Sequence, residues 1–331
     1  MRSTSSDVAH VIAGSLLVAR TCNAGRYACE LAERGDASTR GSQGDSQWTF
    51  TVMSNAVLNQ RRRLRPLWIR IAAIAGLAQV AVGYLALHPH PFETIEQHAA
   101  RLSNQHGILV GFGDPSKFFV PPLQAAALEG MQLPAASPDA VAIALDSIET
   151  SLATYPPGFV SSLMLGLFIG GDLRVKSELS GGFAGPNWFV LAAPEADGPE
   201  IIRLTSLLGV HHELSSFVLQ KTGAQLAWAA LSPPEWRFAA TREAALARGS
   251  EPDPPLDTGF LSAYGATTAE NDFNTYAERI FTEPAPLMHA ACEHTLISKK
   301  LRFVVQTYVE LDARMGRVFR ELGIDVERPC S

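Results

Sequence analysis

The stretch Gly198–Gly223 constrains this chain more than any other. It is a long run with apolar positions at helical spacing, and it carries Val210-His211-His212-Glu213-Leu214-Ser215-Ser216 at its centre. Its punctuation is that of a single helix. Pro199 suits the first turn, Glu200 complements the positive end of the dipole, and Gly223 suits the C-terminal cap. Ile201, Leu204 and Leu208, with Leu207, His211, Leu214 and Val218, form adjoining apolar stripes. His212-Glu213-x-x-Ser216 is the pattern His-Glu-x-x-His with serine in place of its last histidine. The full pattern sets two imidazoles on one helical face, within reach of one Zn²⁺. The intervening glutamate then handles the proton of a metal-bound water.

Composition narrows the function classes. The 331 residues are 47% hydrophobic and 18% charged with a net charge of −6, a globular and mildly acidic balance that gives no electrostatic footprint for nucleic acid. No Gly-x-x-x-x-Gly-Lys or Gly-x-Gly-x-x-Gly pattern follows a strand, so no nucleotide site is expected. Ser215 and Ser216 have no base-and-acid arrangement beside them that would make a serine hydrolase. Four cysteines are too few for a disulfide-dense scaffold, and the lack of a Cys-x-x-Cys pair argues against a structural zinc site or a thioredoxin-like motif. Cys292 and Cys330 could pair in an oxidising compartment.

The N-terminal part reads as a tail and an anchor. Residues 1–52 are rich in Ser, Gly, Arg and Thr and lack periodicity; Met53 starts the order Met, basic cluster (Arg61 to Arg65), apolar run. That order makes 1–52 either a mis-called upstream extension or a disordered cytoplasmic tail continuing to residue 66. Leu67–Leu87 is apolar apart from Arg70 and Gln79, and its roughly 21 positions at about 1.5 Å each just cross a hydrocarbon core of about 30 Å. The basic cluster before it places the N-terminus in the cytoplasm. The expectation is a single-pass inner-membrane protein with residues 67–88 as anchor and 89–331 facing the periplasm or exterior. A cleaved signal peptide is the alternative, though no Ala-x-Ala site precedes His88-Pro89.

From Phe92 onward the sequence predicts one α+β domain. It has a helix over Phe92–Gln105, a strand within Gly107–Gly113, a helix over Pro138–Tyr155, and Phe159–Leu167 helical or extended. Asp172–Leu179 and Trp188–Ala193 read as the two strands of a hairpin turned at Gly181–Pro186, directly before the motif helix. Ser250–Pro255 is a loop, Thr267–Phe281 a helix, and Ala290–Leu322 a long amphipathic helix or pair.

On Thr267–Phe281, Glu270, Asn274 and Glu278 lie at i, i+4 and i+8 on one face, so Glu270 and Glu278 are both candidates to join His212. Glu270 has a second reading, since Thr267-x-x-Glu270 is a capping box. His211 points about 100° away from His212 around a helix, and is either a recruited ligand or a core histidine. Asp272, His289 and His294 are further metal candidates, while Trp188 and Tyr264 are candidates to line a substrate cleft.

Taken together, the chain over roughly Gly107 to Phe281 resembles the zinc-binding metallopeptidases of the His-Glu-x-x-His, gluzincin-like class. The resemblance rests on the strand at Ile108–Phe112, the Leu145-x-x-Ile148-x-x-x-Leu152-x-x-Tyr155-Pro segment, the hairpin, the motif helix and the Tyr264…Glu270…Phe273…Glu278 segment. It implies a zincin-like domain, with a small mixed sheet and an edge hairpin packed on the motif helix. It also implies Zn²⁺ as cofactor, His212 as first ligand, Glu213 as general base and Glu270 or Glu278 as third ligand. Ser216 stands where the second histidine belongs, and a neutral hydroxyl is a poor zinc donor. If active, such a domain hydrolyses a peptide lying along the hairpin edge. The alternative is a non-catalytic descendant that serves as an envelope binding or scaffolding module.

Overall fold

The structure is a computed structural model and describes residues 93–123, 128–328 and 330. The expected tail and the expected span Leu67–Leu87 lie outside the described residues. Among the described residues, no helix is long and apolar enough to cross a membrane. The architecture is mixed α+β, as the sequence predicts.

Helix α1 (Ile95–His106) leads into β1 (Leu109–Phe112), a short helical turn α2 (Pro115–Phe118), and β2 (Met131–Gln132). Helix α3 spans Pro138–Leu152; Ser137 caps it by accepting from the Ala140 amide, and proline occupies the first turn. A five-residue helix α4 (Phe159–Leu163) then gives way to β3 (Gly166–Gly170). The strands β4 (Arg174–Val175), β5 (Glu178–Leu179), β6 (Gly182–Ala184) and β7 (Trp188–Ala192) follow. The motif helix α5 runs over Pro199–Thr222 and stops at Gly223, which takes the left-handed conformation (φ 64°) open to glycine. Next come α6 (Gln225–Ala229), α7 (Arg242–Gly249), α8 (Ala269–Thr282), α9 (Pro284–Glu293), α10 (Thr295–Leu311) and α11 (Met315–Glu321).

The main sheet has the order β1-β3-β7-β6; β1, β3 and β7 are parallel and β6 is antiparallel to β7. β3 and β7 are covered on both faces, which is why Leu-Phe-Ile and Trp-Phe-Val-Leu-Ala read as unbroken apolar runs instead of alternations. Leu167, Ile169, Phe189 and Leu191 point into the large core shared with α3, α5, α8 and α10. Phe168, Trp188, Val190 and Ala192 point the other way, into a smaller core with Phe119, Leu123, Leu173 and Val175.

Two expectations about the strands are corrected. Asp172–Leu179 is not one strand but a tight hairpin, β4–β5. Its turn residues Lys176 and Ser177 adopt positive φ (50° and 72°), and it pairs with β2 in a separate sheet. The hairpin entering the motif helix is β6–β7, so the edge belongs to Gly182–Ala184, and Trp188–Ala192 lies inside the sheet between β3 and β6. The C-terminal segment is three helices instead of one or two, and the Cys292–Cys330 pair is bonded.

One buried ion pair orients α8. Asp272 and Lys300 are both essentially inaccessible, with Nζ 2.7 Å from Asp272 Oδ2. The ammonium also donates to the Gly259 carbonyl at 2.9 Å and sits 3.9 Å from the Phe260 ring centroid. Burial raises Asp272 to about 7 against the opposing pull of Lys300. Truncating one partner leaves the other charge buried and unpaired. Lys300→Ala is therefore expected to cost about 3–5 kcal/mol in urea unfolding, and Asp272→Asn with Lys300→Met much less. Equal losses in the two proteins would show that the pair is not what orients α8.

Candidate functional site

α5 and α8 run antiparallel, so successive turns of one meet successive turns of the other. At one level His212 Nδ1 lies 2.5 Å from Glu278 Oε1, and both side chains are largely buried. One turn along, Asn274 Nδ2 donates to Ser216 Oγ at 2.9 Å. Ser215 shares its hydroxyl proton between Asn274 Oδ1 at 2.5 Å and the His212 carbonyl at 2.7 Å. A turn further, Glu270 is exposed and lines a cavity of about 440 Å³ together with Ser216, Phe217, Gln220, Phe183 and Pro186.

The expected residues thus divide. His212, Glu278, Ser216 and Glu270 all lie on the facing surfaces of α5 and α8. His211 does not join them: it is buried on the other side of α5, with Nδ1 hydrogen-bonded to the Tyr155 hydroxyl at 2.8 Å and its ring stacked on Phe281 at 4.6 Å. Burial pushes its imidazole down to about 3, so it is a neutral core histidine and not a recruited ligand. Asp272 is turned back onto Lys300, which removes it from any carboxylate-rich site. His289 lies on the surface 3.5 Å from Glu293, and His294 stands at the start of α10, so neither is grouped with His212. Trp188 is fully buried in the smaller core, on the sheet face away from α5, so a substrate-binding role for it is corrected to a packing one. Tyr264 does come to the site: it is 45% exposed, with its ring 5.8 Å from His212.

The capping box at Thr267 is also corrected. Thr268 is the N-cap of α8 and accepts from the Asn271 amide, while the Thr267 hydroxyl donates to the Tyr264 carbonyl. Glu270 therefore falls one position short of the residue that would reach back, which leaves it facing the cavity.

Two residues of the site were not singled out from the sequence. Asn274 stands midway between the two candidate glutamates on their shared face, a spacing visible in the sequence, yet an amide carries no signal of metal chemistry. Gly182 is the other. A Cβ there would overlap the Glu213 carboxylate, which packs against the backbone of the edge strand β6. The Gly181-Gly182 pair reads in sequence only as a turn.

Burial raises Glu213 to about 7, further lifted by Glu270 and Glu278 and opposed by His212. For His212, burial alone would lower the imidazole; the hydrogen bond and charge of Glu278, with Glu213 and Glu270 behind it, outweigh that and push it up to about 9.

The donor set does not fit a zinc ion. Zinc sites use imidazole, thiolate and carboxylate donors, three from the protein in a catalytic site. Here the position one turn after His212 is a hydroxyl, and the residue facing it is a neutral amide that donates to that hydroxyl and accepts from Ser215. Among the described residues, no three His, Cys, Asp or Glu side chains are grouped as a metal cluster.

No family model and no curated protein matches the chain. Among solved structures, a chain from Bacteroides caccae ATCC 43185 described as a candidate zinc-binding metallo-peptidase is similar over 70% of this chain and 94% of its own. The identity is 14% and the TM-score 0.41.

Two outcomes are expected from this geometry. The first concerns pH. A histidine whose value rises from 6.5 to about 9 contributes stability that is complete below about pH 6.5 and lost as pH rises through about 9. Glu213, raised from 4.5 to about 7, adds a loss in the same direction at lower pH, because its folded form binds the proton more tightly. Urea-unfolding stability is expected to fall between about pH 6.5 and 9 by on the order of 3 kcal/mol, and Glu278→Gln to flatten most of that limb. An unchanged slope in the variant would remove Glu278 as the cause. Secondly, Gly182→Ala is expected to displace the Glu213 carboxylate or the edge strand at a cost of about 1–3 kcal/mol, read as a lowered unfolding midpoint.

Proposed function

We propose that the domain is a polypeptide-binding module that holds an extended chain in the cleft between β6 and α5 and does not hydrolyse it through zinc. One observation carries this reading: Ser216 and Asn274 hydrogen-bond each other at the level where the His-Glu-x-x-His pattern needs donors. The cleft itself supports the binding half. β6 is the terminal strand of its sheet, so its outer backbone can pair with an extended peptide, and pockets beside such an edge select side chains. The cavity of about 440 Å³ opens beside it, lined by Phe183 and Pro186 from the strand side and Phe217, Gln220 and Glu270 from the helices. Tyr264 flanks His212 with an exposed ring.

In this reading Leu67–Leu87 tethers the module to the inner membrane, with the domain in the periplasm or outside the cell. The Cys292–Cys330 bond supports that placement, since structural disulfides persist in oxidising compartments. The module then belongs to envelope binding or scaffolding.

The test uses the full chain with fluorescently labelled casein as an extended polypeptide probe. Anisotropy is expected to report binding, with no new N-termini released over hours. Ser216→Trp, which fills the cavity, is expected to weaken binding at least tenfold. Casein cleavage that disappears in Glu213→Gln would overturn the non-hydrolytic half, and unchanged binding by a folded Ser216→Trp would overturn the cleft as the binding place.

A further inference from the structure

We infer that His212, Ser216 and Asn274 mark a dismantled zinc centre whose framework survives, so that returning donors at positions 216 and 274 restores zinc binding. The inference rests on the reading that the chain does not use zinc, and is independent of whether the cleft binds polypeptide.

His212 and Ser216 are four residues apart on α5, so their Cβ atoms lie about 6 Å apart on one face. The α8 side chain bonded to Ser216 is Asn274, with Glu278 on His212 one turn along and Glu270 on the cavity side. Asn274 is 1% exposed, its amide 2.9 Å from Ser216 Oγ and 2.5 Å from Ser215 Oγ, and Ser215 in turn contacts the carbonyl of His212. Glu278 lies one turn beyond, on Nδ1 of His212, and so holds the ring from its far side while the other ring nitrogen is left for a different partner. A carboxylate on the second ring nitrogen of a ligand histidine is the arrangement that orients metal-binding imidazoles in general. The chain thus keeps the supporting carboxylate and the first imidazole. It has neutral groups at the two remaining positions, hydrogen-bonded to one another and needing no cation.

Room exists for the change. Ser216 borders the cavity of about 440 Å³, so an imidazole at 216 need not displace the core. A glutamate at 274 differs from asparagine by one methylene and a charge. At a site this buried that charge is unfavourable alone and compensated by a bound cation.

The deciding experiment is zinc affinity of the full chain, measured by competition with a chromophoric chelator, for the wild type, Ser216→His, Asn274→Glu and the double variant. The double variant is expected to take up one zinc per chain at least 100-fold more tightly than the wild type, with each single variant far below it. Zinc is expected to raise the unfolding temperature of the double variant only, and cobalt to give it the visible absorption of a tetrahedral site. A folded double variant that binds zinc no better than the wild type would overturn the inference and leave the polypeptide-binding reading standing. One tightly held zinc in the wild type would overturn both the inference and the non-hydrolytic half of that reading. If Asn274→Glu prevents folding, Ser216→His with the near-isosteric Asn274→Asp decides by the same criterion.

Discussion

The antiparallel seam between α5 and α8 is the constraint on which the site depends. Two helices packed in this way bring their i, i+4 rows together turn by turn. The chain matches them polar group to polar group: His212 with Glu278, then Ser215 and Ser216 with Asn274. The opposite side of α8 is held just as firmly. Asp272 is locked to Lys300 from α10, while Phe273, Ala277 and Ile280 are in the core, so α8 cannot rotate to offer Glu270 or Glu278 differently without breaking a buried charge pair.

This arrangement explains why a pattern so close to His-Glu-x-x-His can exist without its chemistry. A hydroxyl and an amide buried between helices are stable only when paired, and here they pair with each other. A zinc ion entering that space would have to break both hydrogen bonds and would find a hydroxyl and an amide where imidazole or carboxylate donors are needed. The glutamate after His212 persists in a different setting. It is buried against the backbone of β6 at Gly182, where burial raises its carboxyl to about 7.

Much of this was legible in the sequence, and the exceptions have physical causes. The motif helix could be bounded almost to the residue, because Pro199 and Gly223 act locally through φ preferences and capping. The face shared by Glu270, Asn274 and Glu278 followed from helical period alone. β3 was not legible as a strand: Gly166–Gly170 is buried on both faces, and a short unbroken apolar run has no period to read. The hairpin was displaced because Lys176 and Ser177 turn with positive φ, a conformation those residue types rarely signal. Trp188 was misplaced with it. Nothing in the local sequence at Lys300 announces a fully buried ammonium, since its partner lies 28 positions away and its aromatic surroundings come from other segments.

The brevity of β6 has a consequence of its own. An uncovered strand edge invites self-association, and a long flat one invites it without limit. This edge is three residues long, is preceded by Gly181 and followed by Gly185-Pro186, and one of its carbonyls, that of Gly182, is already taken by the Ser180 hydroxyl. A ladder of that length offers an incoming strand few backbone hydrogen bonds. A second copy of the same edge would gain little by pairing with it, and any visiting chain must find most of its hold in the side-chain cavity alongside. The sheet is thereby left open at one margin while being poorly suited to polymerise from it.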